Sequence, residues 1–171
     1  TCRLCRASQW WQKRYADLVR KAVTEYGFKG VYMDSFGKDG YRCFALNHGH
    51  SYGGGTKVVS GEHQFGEYMR KEMKEADSEA VTSAEDSSEE FIDIVDARLS
   101  AIEIYNNVAP IYSCIYHDYQ LFYGRTISLS MKEPVFSMTA GYLFSIGGQI
   151  GRYPISGGMD DFGKPDYALK L

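Results

Sequence analysis

The chain has 171 residues, with 19 Lys and Arg against 22 Asp and Glu, a formal net charge of −3, and 44% apolar residues. This length allows one buried core, and the apolar fraction is that of a globular domain rather than a disordered tail. The nearly balanced charge lacks the basic surplus of a nucleic-acid-binding protein, and no apolar run approaches the roughly 18 residues that span a bilayer. We therefore expect neither a nucleic acid nor a membrane as partner.

The first periodic segment covers residues 8–26. Its apolar residues recur at spacings of three and four, which predicts an amphipathic helix that ends before Gly27. The apolar run of residues 28–33 predicts a strand that ends at Asp34. A long loop rich in glycine and aromatic residues then extends to about residue 60.

The rest of the chain continues this alternation. The pattern predicts a second helix over residues 62–76, a second strand over residues 79–83 that leads to Glu85, and a third strand over residues 110–116. Two further segments, residues 91–102 and 138–150, fit a helix or a strand equally well. Strands that alternate with helices are typical of a parallel α/β sheet. The chain, 1–171, is predicted to be one domain or part of one.

Polar side chains follow the three predicted strands: Asp34, Glu85, and His117 with Asp118. In a parallel α/β barrel the carboxyl ends of all strands face one side, where the active site lies. Two carboxyl groups that face a scissile bond are the apparatus of glycoside hydrolysis. We interpret Asp34 and Glu85 as such a pair; the alternative for each is a solvated strand end or a helix cap.

The loop sequence Asn47-His48-Gly49-His50 places two imidazoles two residues apart, which predicts that both point the same way. Together with His117 they fit the metal site of a metal-dependent hydrolase. They equally fit hydrogen bonding to sugar hydroxyls, in a glycosidase or in a catalytically silent carbohydrate-binding barrel. The expected substrate-binding residues are Tyr32, His48, His50, Tyr116, His117 and Asp118.

The four cysteines are too few for a disulfide-stapled fold. Cys2 and Cys5 form a single CxxC pair, whereas Cys43 and Cys114 are far apart in sequence. A zinc site would need a second ligand pair, so we interpret the cysteines as buried thiols and assign no metal ligand and no cofactor.

In their order along the chain, several short segments resemble an uncharacterised family of predicted bacterial glycoside hydrolases with a TIM-barrel catalytic domain, distantly similar to the endo-α-N-acetylgalactosaminidases. The resemblance covers roughly residues 5–124. The segments are Cys5-Arg6-Ala7-Ser8 with Trp11-Gln12, Gly30-Val31-Tyr32-Met33-Asp34, Cys43-Phe44, His48-Gly49-His50, Gly53-Gly54-Gly55, Glu85 with Glu89-Glu90-Phe91-Ile92-Asp93, and Pro110 with Tyr116-His117-Asp118-Tyr119. Arg6 departs from the proline that the family commonly has there, and Ser35 departs from its glutamine.

The resemblance implies a carbohydrate substrate and a retaining mechanism without a cofactor. Asp34 would be the nucleophile and Glu85 the general acid/base, with Glu89 and Asp118 as rivals for the second role. Residues 28–33 would be about the fourth strand of a (β/α)₈ barrel, so the chain would contain about strand 4 to strand 8. We therefore expect it to depend on a missing N-terminal part of the same barrel. An extracellular or periplasmic location stays open, with any export signal upstream.

Overall fold

The computed structural model describes residues 4–38, 40–100, 109–124 and 132–150, in which helices and strands alternate. The elements are α1 Gln9–Tyr26, β1 Gly30–Met33, α2 Thr56–Ala76, β2 Val81–Glu85, a 3₁₀ turn Glu89–Phe91, β3 Ala97–Leu99, α3 Ile111–Tyr116, β4 Leu121–Gly124, α4 Glu133–Ser145 and β5 Gly148–Ile150. The chain forms two compact units, Thr1–Arg98 and Leu99–Leu171, and each is described by itself. Within the described ranges, no helix combines the length and the apolar character needed to cross a membrane.

The first unit is an α/β layer with strand order β1-β2-β3. β1 and β2 are parallel, in a register that runs from Gly30 opposite Val81 to Met33 opposite Ala84. In the second unit β4 and β5 are also parallel, with Phe122 opposite Gly148. The predicted α/β class with parallel strands is confirmed. A complete eight-stranded barrel stays a prediction.

Helices α1 and α2 cover one face of the β1–β2 pair. The core that they form with β1 and β2 is built from these buried apolar side chains: Val19, Val23, Met33, Phe36, Phe65, Met69, Met73, Ala80, Ala84, Phe91, Ile94 and Val95. Because strand side chains alternate, Tyr32 and Ser83 lie on the opposite face from Met33 and Ala84. The sheet therefore has a helix-covered face and a second face without α1 and α2.

The boundaries of the first helix agree with the prediction. Gly27 follows α1 with φ 70°, the left-handed conformation that favours glycine, and its N–H donates to the Val23 carbonyl at 3.2 Å. α2 begins at Thr56, six positions before the predicted start. Its buried face extends through Val58 and Gly61, which the apolar spacing alone did not reveal.

The predicted strand over residues 110–116 is wrong, because this segment is helix α3. Its apolar residues also satisfy helical spacing: Tyr112 and Tyr116, four residues apart, have ring centroids 4.7 Å from each other. A short apolar run does not distinguish a buried strand from a helix. The strand that follows, β4, was not predicted.

For two segments the sequence did not distinguish a helix from a strand. In the structure each of them contains parts of two elements. Residues 91–102 contain the end of the 3₁₀ turn and then β3, and residues 138–150 contain the end of α4 and then β5. The second predicted strand is present, displaced to Val81–Glu85. The described residues thus form more and shorter elements than the apolar periodicity indicated.

A polar network joins α2, β2 and the segment before β3. Arg70 Nη1 donates to Asp96 Oδ2 at 2.7 Å, and the Thr82 N–H donates to the same oxygen at 2.8 Å. Burial by itself raises the pKa of the Asp96 carboxyl, but the hydrogen bonds from Arg70 and Thr82 outweigh burial and hold that pKa below its ordinary value. The charged carboxylate therefore stabilises the folded state.

Asp96→Asn is expected to lower the free energy of unfolding by about 2 kcal/mol near neutral pH, because it removes hydrogen bonds to a charged group. Since the folded-state pKa lies below the unfolded one, this stabilisation is complete above a pH of about 3.9 and is lost as the pH falls through the folded-state value. Urea unfolding at decreasing pH should show wild type and variant converging. Asp93→Asn, at an exposed side chain, is the control, and a gap that does not change with pH would contradict the assignment.

Candidate functional site

Asp34 and Glu85 lie at the carboxyl ends of neighbouring parallel strands. Asp34 follows β1 directly, and Glu85 is the last residue of β2. The register that pairs Met33 with Ala84, continued by one residue, places Asp34 beside Glu85, with backbones about 4.8 Å apart. Met33 and Ala84 belong to the helix-covered core, so strand alternation directs the two acids to the other face. Tyr32 on that face donates its hydroxyl hydrogen to Asp34 Oδ1 at 3.4 Å.

The backbone is strained immediately after both carboxylates. Ser35 has φ 55° and Asp86 has φ 46°, and they are the non-glycine residues with positive φ among those that the structure describes. A non-glycine residue in this region costs of order 1–3 kcal/mol, and such residues cluster at functional sites. Both strand ends therefore carry the same unfavourable turn next to a candidate catalytic group.

Basic side chains surround the end of β2. Lys38 Nζ lies 3.8 Å from Glu85 Oε2 and 3.3 Å from Asp86 Oδ2. Arg98 Nη2 lies 3.7 Å from Asp86 Oδ1, and the Asp86 side chain is only 1% exposed. The Asp86 side chain is thus buried next to Lys38 and Arg98, whereas the Glu85 side chain is partly exposed.

A buried ion pair holds the turn after Asp34. Glu62 on α2 is 3% exposed and accepts a hydrogen bond from the Gly37 N–H at 2.8 Å. Arg6 forms an ion pair with Glu62 and donates from Nη2 to the Ser35 carbonyl at 2.8 Å. Ala7 packs so tightly on α2 that a Cβ added at Gly61 would lie 2.5 Å from the Ala7 Cβ. Arg6 thus fixes the segment beside Asp34.

The two loop histidines face two cysteines. Cys5 Sγ lies 3.4 Å from His50 Nε2, and Cys43 Sγ lies 3.3 Å from His48 Nδ1. The four ligand atoms all lie within 4.8 Å of one another, and all four residues are half-buried. Burial raises the pKa of the Cys5 thiol, and the neighbouring Cys43 thiol raises it further. We call these residues the Cys/His cluster.

The interpretation of the cysteines as ordinary buried thiols is therefore corrected for Cys5 and Cys43. Cys5 and Cys43 are far apart in sequence, but the loop between β1 and α2 brings them close together in space. Cys114 is an exposed thiol on α3, and Cys2 lies outside the described residues. The expectation that His48 and His50 point the same way agrees with their positions in the cluster.

A cavity with a volume of about 500 Å³ lies beside the cluster. His48 and His50 line one side of it, and Ser8, Gln12 and Lys57 contribute further polar groups. This volume falls within the range of ligand sites, about 300–1,000 Å³. A second cavity, of about 160 Å³, adjoins Asp34.

Tyr116, His117 and Asp118 belong to the second unit. His117 Nδ1–H donates to the Cys114 carbonyl at 3.1 Å, and its Nε2 lies 3.5 Å from Asp118 Oδ1. The side chains of His117 and Asp118 are 51% and 84% exposed. Because they follow a helix, the prediction that they follow a strand is wrong. Glu89, the other rival acid, opens the 3₁₀ turn and is exposed.

The first unit is thus a parallel α/β layer with carboxylates at its strand ends and a ligand-sized cavity in its loops. Residues 1–127 match the family model described as "Domain of unknown function (DUF6259)", so the chain belongs to this family. It is 31% identical over 126 residues to a Bacteroides thetaiotaomicron protein named "Putative glycoside hydrolase". This match covers 71% of the chain and 18% of the relative, so the chain spans less than a fifth of that protein's length.

Proposed function

We propose that this chain is the catalytic part of a glycoside hydrolase with a retaining, two-carboxylate mechanism. The observation that carries the proposal is the register of β1 and β2, which pairs Met33 with Ala84, the residues directly before Asp34 and Glu85. Retaining glycosidases hold their carboxyl groups about 5–5.5 Å apart, whereas inverting enzymes need about 6.5–9.5 Å, and two acids that follow neighbouring strands can face one scissile bond. The printed name of the Bacteroides relative supports the same reaction class.

In the first step, the Asp34 carboxylate attacks the anomeric carbon of the sugar. The bond from that carbon to the leaving oxygen breaks, and the Glu85 carboxylic acid gives its proton to this oxygen. In the second step, Glu85 takes a proton from water, the water oxygen attacks the anomeric carbon, and the bond to Asp34 breaks. Asp34 leaves as a carboxylate and Glu85 is again protonated.

The surrounding residues have supporting roles in this scheme. Tyr32 donates to Asp34, and the Arg6–Glu62 pair fixes the turn that follows it. The cavity of about 500 Å³ is lined by neither acid, so we propose it as an additional carbohydrate-binding surface of the first unit, with exposed Trp10 available for stacking. Tyr116, His117 and Asp118 stay predictions as substrate-binding residues. The eight-stranded barrel and a substrate related to that of the endo-α-N-acetylgalactosaminidases stay predictions as well.

Glu85→Gln tests the assignment of the acid. The full-length protein is first screened against a panel of aryl glycosides, and a substrate that it cleaves is used with leaving groups of increasing basicity. Loss of general acid catalysis costs about 10²–10⁴-fold. We therefore expect kcat/KM for a basic leaving group to fall by this factor, and the loss to shrink for an acidic phenol that needs no proton.

Glu89→Gln and Asp118→Asn, at the two rival positions, are the matched controls. If one of them gives the leaving-group-dependent loss and Glu85→Gln does not, the acid has been misassigned. Sugar binding without cleavage of any glycoside would favour the silent carbohydrate-binding barrel. Loss of cleavage after chelator treatment, with circular dichroism and thermal unfolding unchanged, would favour the metal-dependent hydrolase.

A further inference from the structure

The Cys/His cluster joins two segments that lie far apart in sequence. Cys5 stands in the segment before α1, while Cys43, His48 and His50 stand in the loop between β1 and α2. Between these elements, residues 34–38 and 40–55, which the structure describes, contain no helix or strand. Loops of this length without secondary structure are uncommon in compact domains and need another source of order.

Two sulfur–nitrogen distances within the cluster are close to those of a tetrahedral metal site. Zinc binds sulfur at about 2.3 Å and imidazole nitrogen at about 2.0–2.1 Å, which puts a sulfur and a nitrogen of one tetrahedron about 3.6 Å apart. The two sulfur–nitrogen distances in the cluster are 3.4 and 3.3 Å, and all ligand atoms lie within 4.8 Å of one another. Binding of one ion by all four residues would draw any ligand atoms that lie farther apart to within about 3.8 Å of each other.

The hydrogen bond made by His50 Nδ1 orients the ring so that His50 Nε2 can bind a metal. His50 Nδ1 lies 2.9 Å from the Ser51 carbonyl oxygen, which can only accept a hydrogen bond. Nδ1 therefore carries the proton, and in the neutral ring Nε2 presents its lone pair toward Cys5 Sγ. This is the outer hydrogen bond to a backbone carbonyl that orients histidine ligands in metal proteins.

We propose that Cys5, Cys43, His48 and His50 bind one zinc ion in a structural site. Two sulfur and two nitrogen ligands in a tetrahedron favour zinc, and four protein ligands leave no position for a substrate or a catalytic water. On binding, the two thiols each release a proton and coordinate as thiolates. The ion ties the loop after Asp34 to the start of α1 and holds the side of the cavity formed by His48 and His50.

This proposal does not depend on the proposed hydrolase activity, because it uses none of the candidate catalytic carboxylates. Its test uses untagged full-length protein, purified without chelator and without added metal. Metal content is measured by mass spectrometry, and zinc X-ray absorption gives the ligand types. We expect about one zinc ion per chain, with both sulfur and nitrogen ligands. Cobalt substituted for zinc should show the visible bands of a tetrahedral site and a thiolate charge-transfer band.

Cys43→Ser and His50→Ala are the ligand variants, and Cys114→Ser and His63→Ala are controls at a cysteine and a histidine outside the cluster. Zinc affinity, measured by competition with a chromophoric chelator, should fall at least about 100-fold in the ligand variants, since even loss of an outer-shell partner costs 10–100-fold. The controls should bind as wild type does. If a ligand variant fails to fold, the cobalt spectrum of the wild type by itself tests whether the metal is bound by thiolates in a tetrahedral site.

Three results would overturn the proposal. The first is folded wild-type protein that takes up no zinc or cobalt. The second is a mass two hydrogens lower, with a disulfide between Cys5 and Cys43 found in the peptide map. The third is unchanged zinc affinity in both ligand variants, which would indicate an adventitious ion elsewhere.

Discussion

Replacing Asp34 with Asn is expected to lower kcat/KM for glycoside hydrolysis by at least about 10⁴-fold, because an amide is not a competent nucleophile at the anomeric carbon. The loss should be similar for acidic and basic leaving groups, in contrast to Glu85→Gln, since both kinds of substrate need the nucleophile. Steady-state kinetics on the aryl glycosides that the full-length protein cleaves are the measurement.

Asp17→Asn is the matched control, because Asp17 is an exposed aspartate on α1 of the same unit. It should leave kcat/KM unchanged. Circular dichroism and thermal unfolding of Asp34→Asn establish that the fold is intact. An Asp34→Asn enzyme that keeps a tenth or more of the wild-type rate, in a preparation free of wild-type protein, would remove Asp34 from the mechanism.

Glu62→Gln is expected to lower the free energy of unfolding by about 3–5 kcal/mol, because it leaves the Arg6 charge without its buried partner. The amide oxygen can still accept the Gly37 N–H, so the loss reports mainly on the ion pair. Urea unfolding of the full-length protein gives the free energy, provided that the transition of this domain is resolved.

The control for this change is Glu67→Gln, on the same helix with a side chain that is 58% exposed. Its ion pair with His63 is a surface pair, so the expected effect is below about 0.5 kcal/mol. Arg6→Met in the Glu62→Gln background should recover part of the loss, because it removes a buried charge that no longer faces the Glu62 carboxylate. Equal effects of Glu62→Gln and Glu67→Gln would contradict the account of the buried pair.

Local patterns in the sequence were enough to predict the first half of the fold. The helix before Gly27, the strand before Asp34 and the parallel α/β class follow from apolar spacing and one glycine in the left-handed conformation. The second half was harder, because residues 111–116 satisfy both helix and strand patterns. For such a short apolar run, tertiary packing determines whether a helix or a strand forms. That packing cannot be inferred from the apolar spacing of one sequence.

The residues of the candidate site that lie at strand ends could be predicted from the sequence. Those positioned by loops could not. Asp34 and Glu85 are visible as acids that terminate strands, and the register then makes them neighbours. Glu62 carried a signal that was overlooked: it lies three and seven residues before Phe65 and Met69, on the buried face of α2. A charged residue at such a position is rarely buried without a partner.

The proximity of Cys5 to Cys43 could not be predicted from the spacing of cysteines and histidines in the sequence. Motifs of zinc sites place their ligands in pairs a few residues apart, whereas this cluster takes one ligand from a distant segment. The contact depends on how residues 34–55 fold back toward the start of α1. A long loop does not have a periodicity from which that path can be predicted.

Trapping of the glycosyl-enzyme intermediate tests the central claim most directly. The full-length protein is incubated with a 2-deoxy-2-fluoro glycoside of the sugar that it cleaves, carrying an activated leaving group, and the labelled peptide is sequenced by mass spectrometry. The account predicts a covalent adduct on the carboxyl group of Asp34, absent from Asp34→Asn. An adduct on another carboxylate, or inversion at the anomeric carbon in the natural reaction, would contradict it.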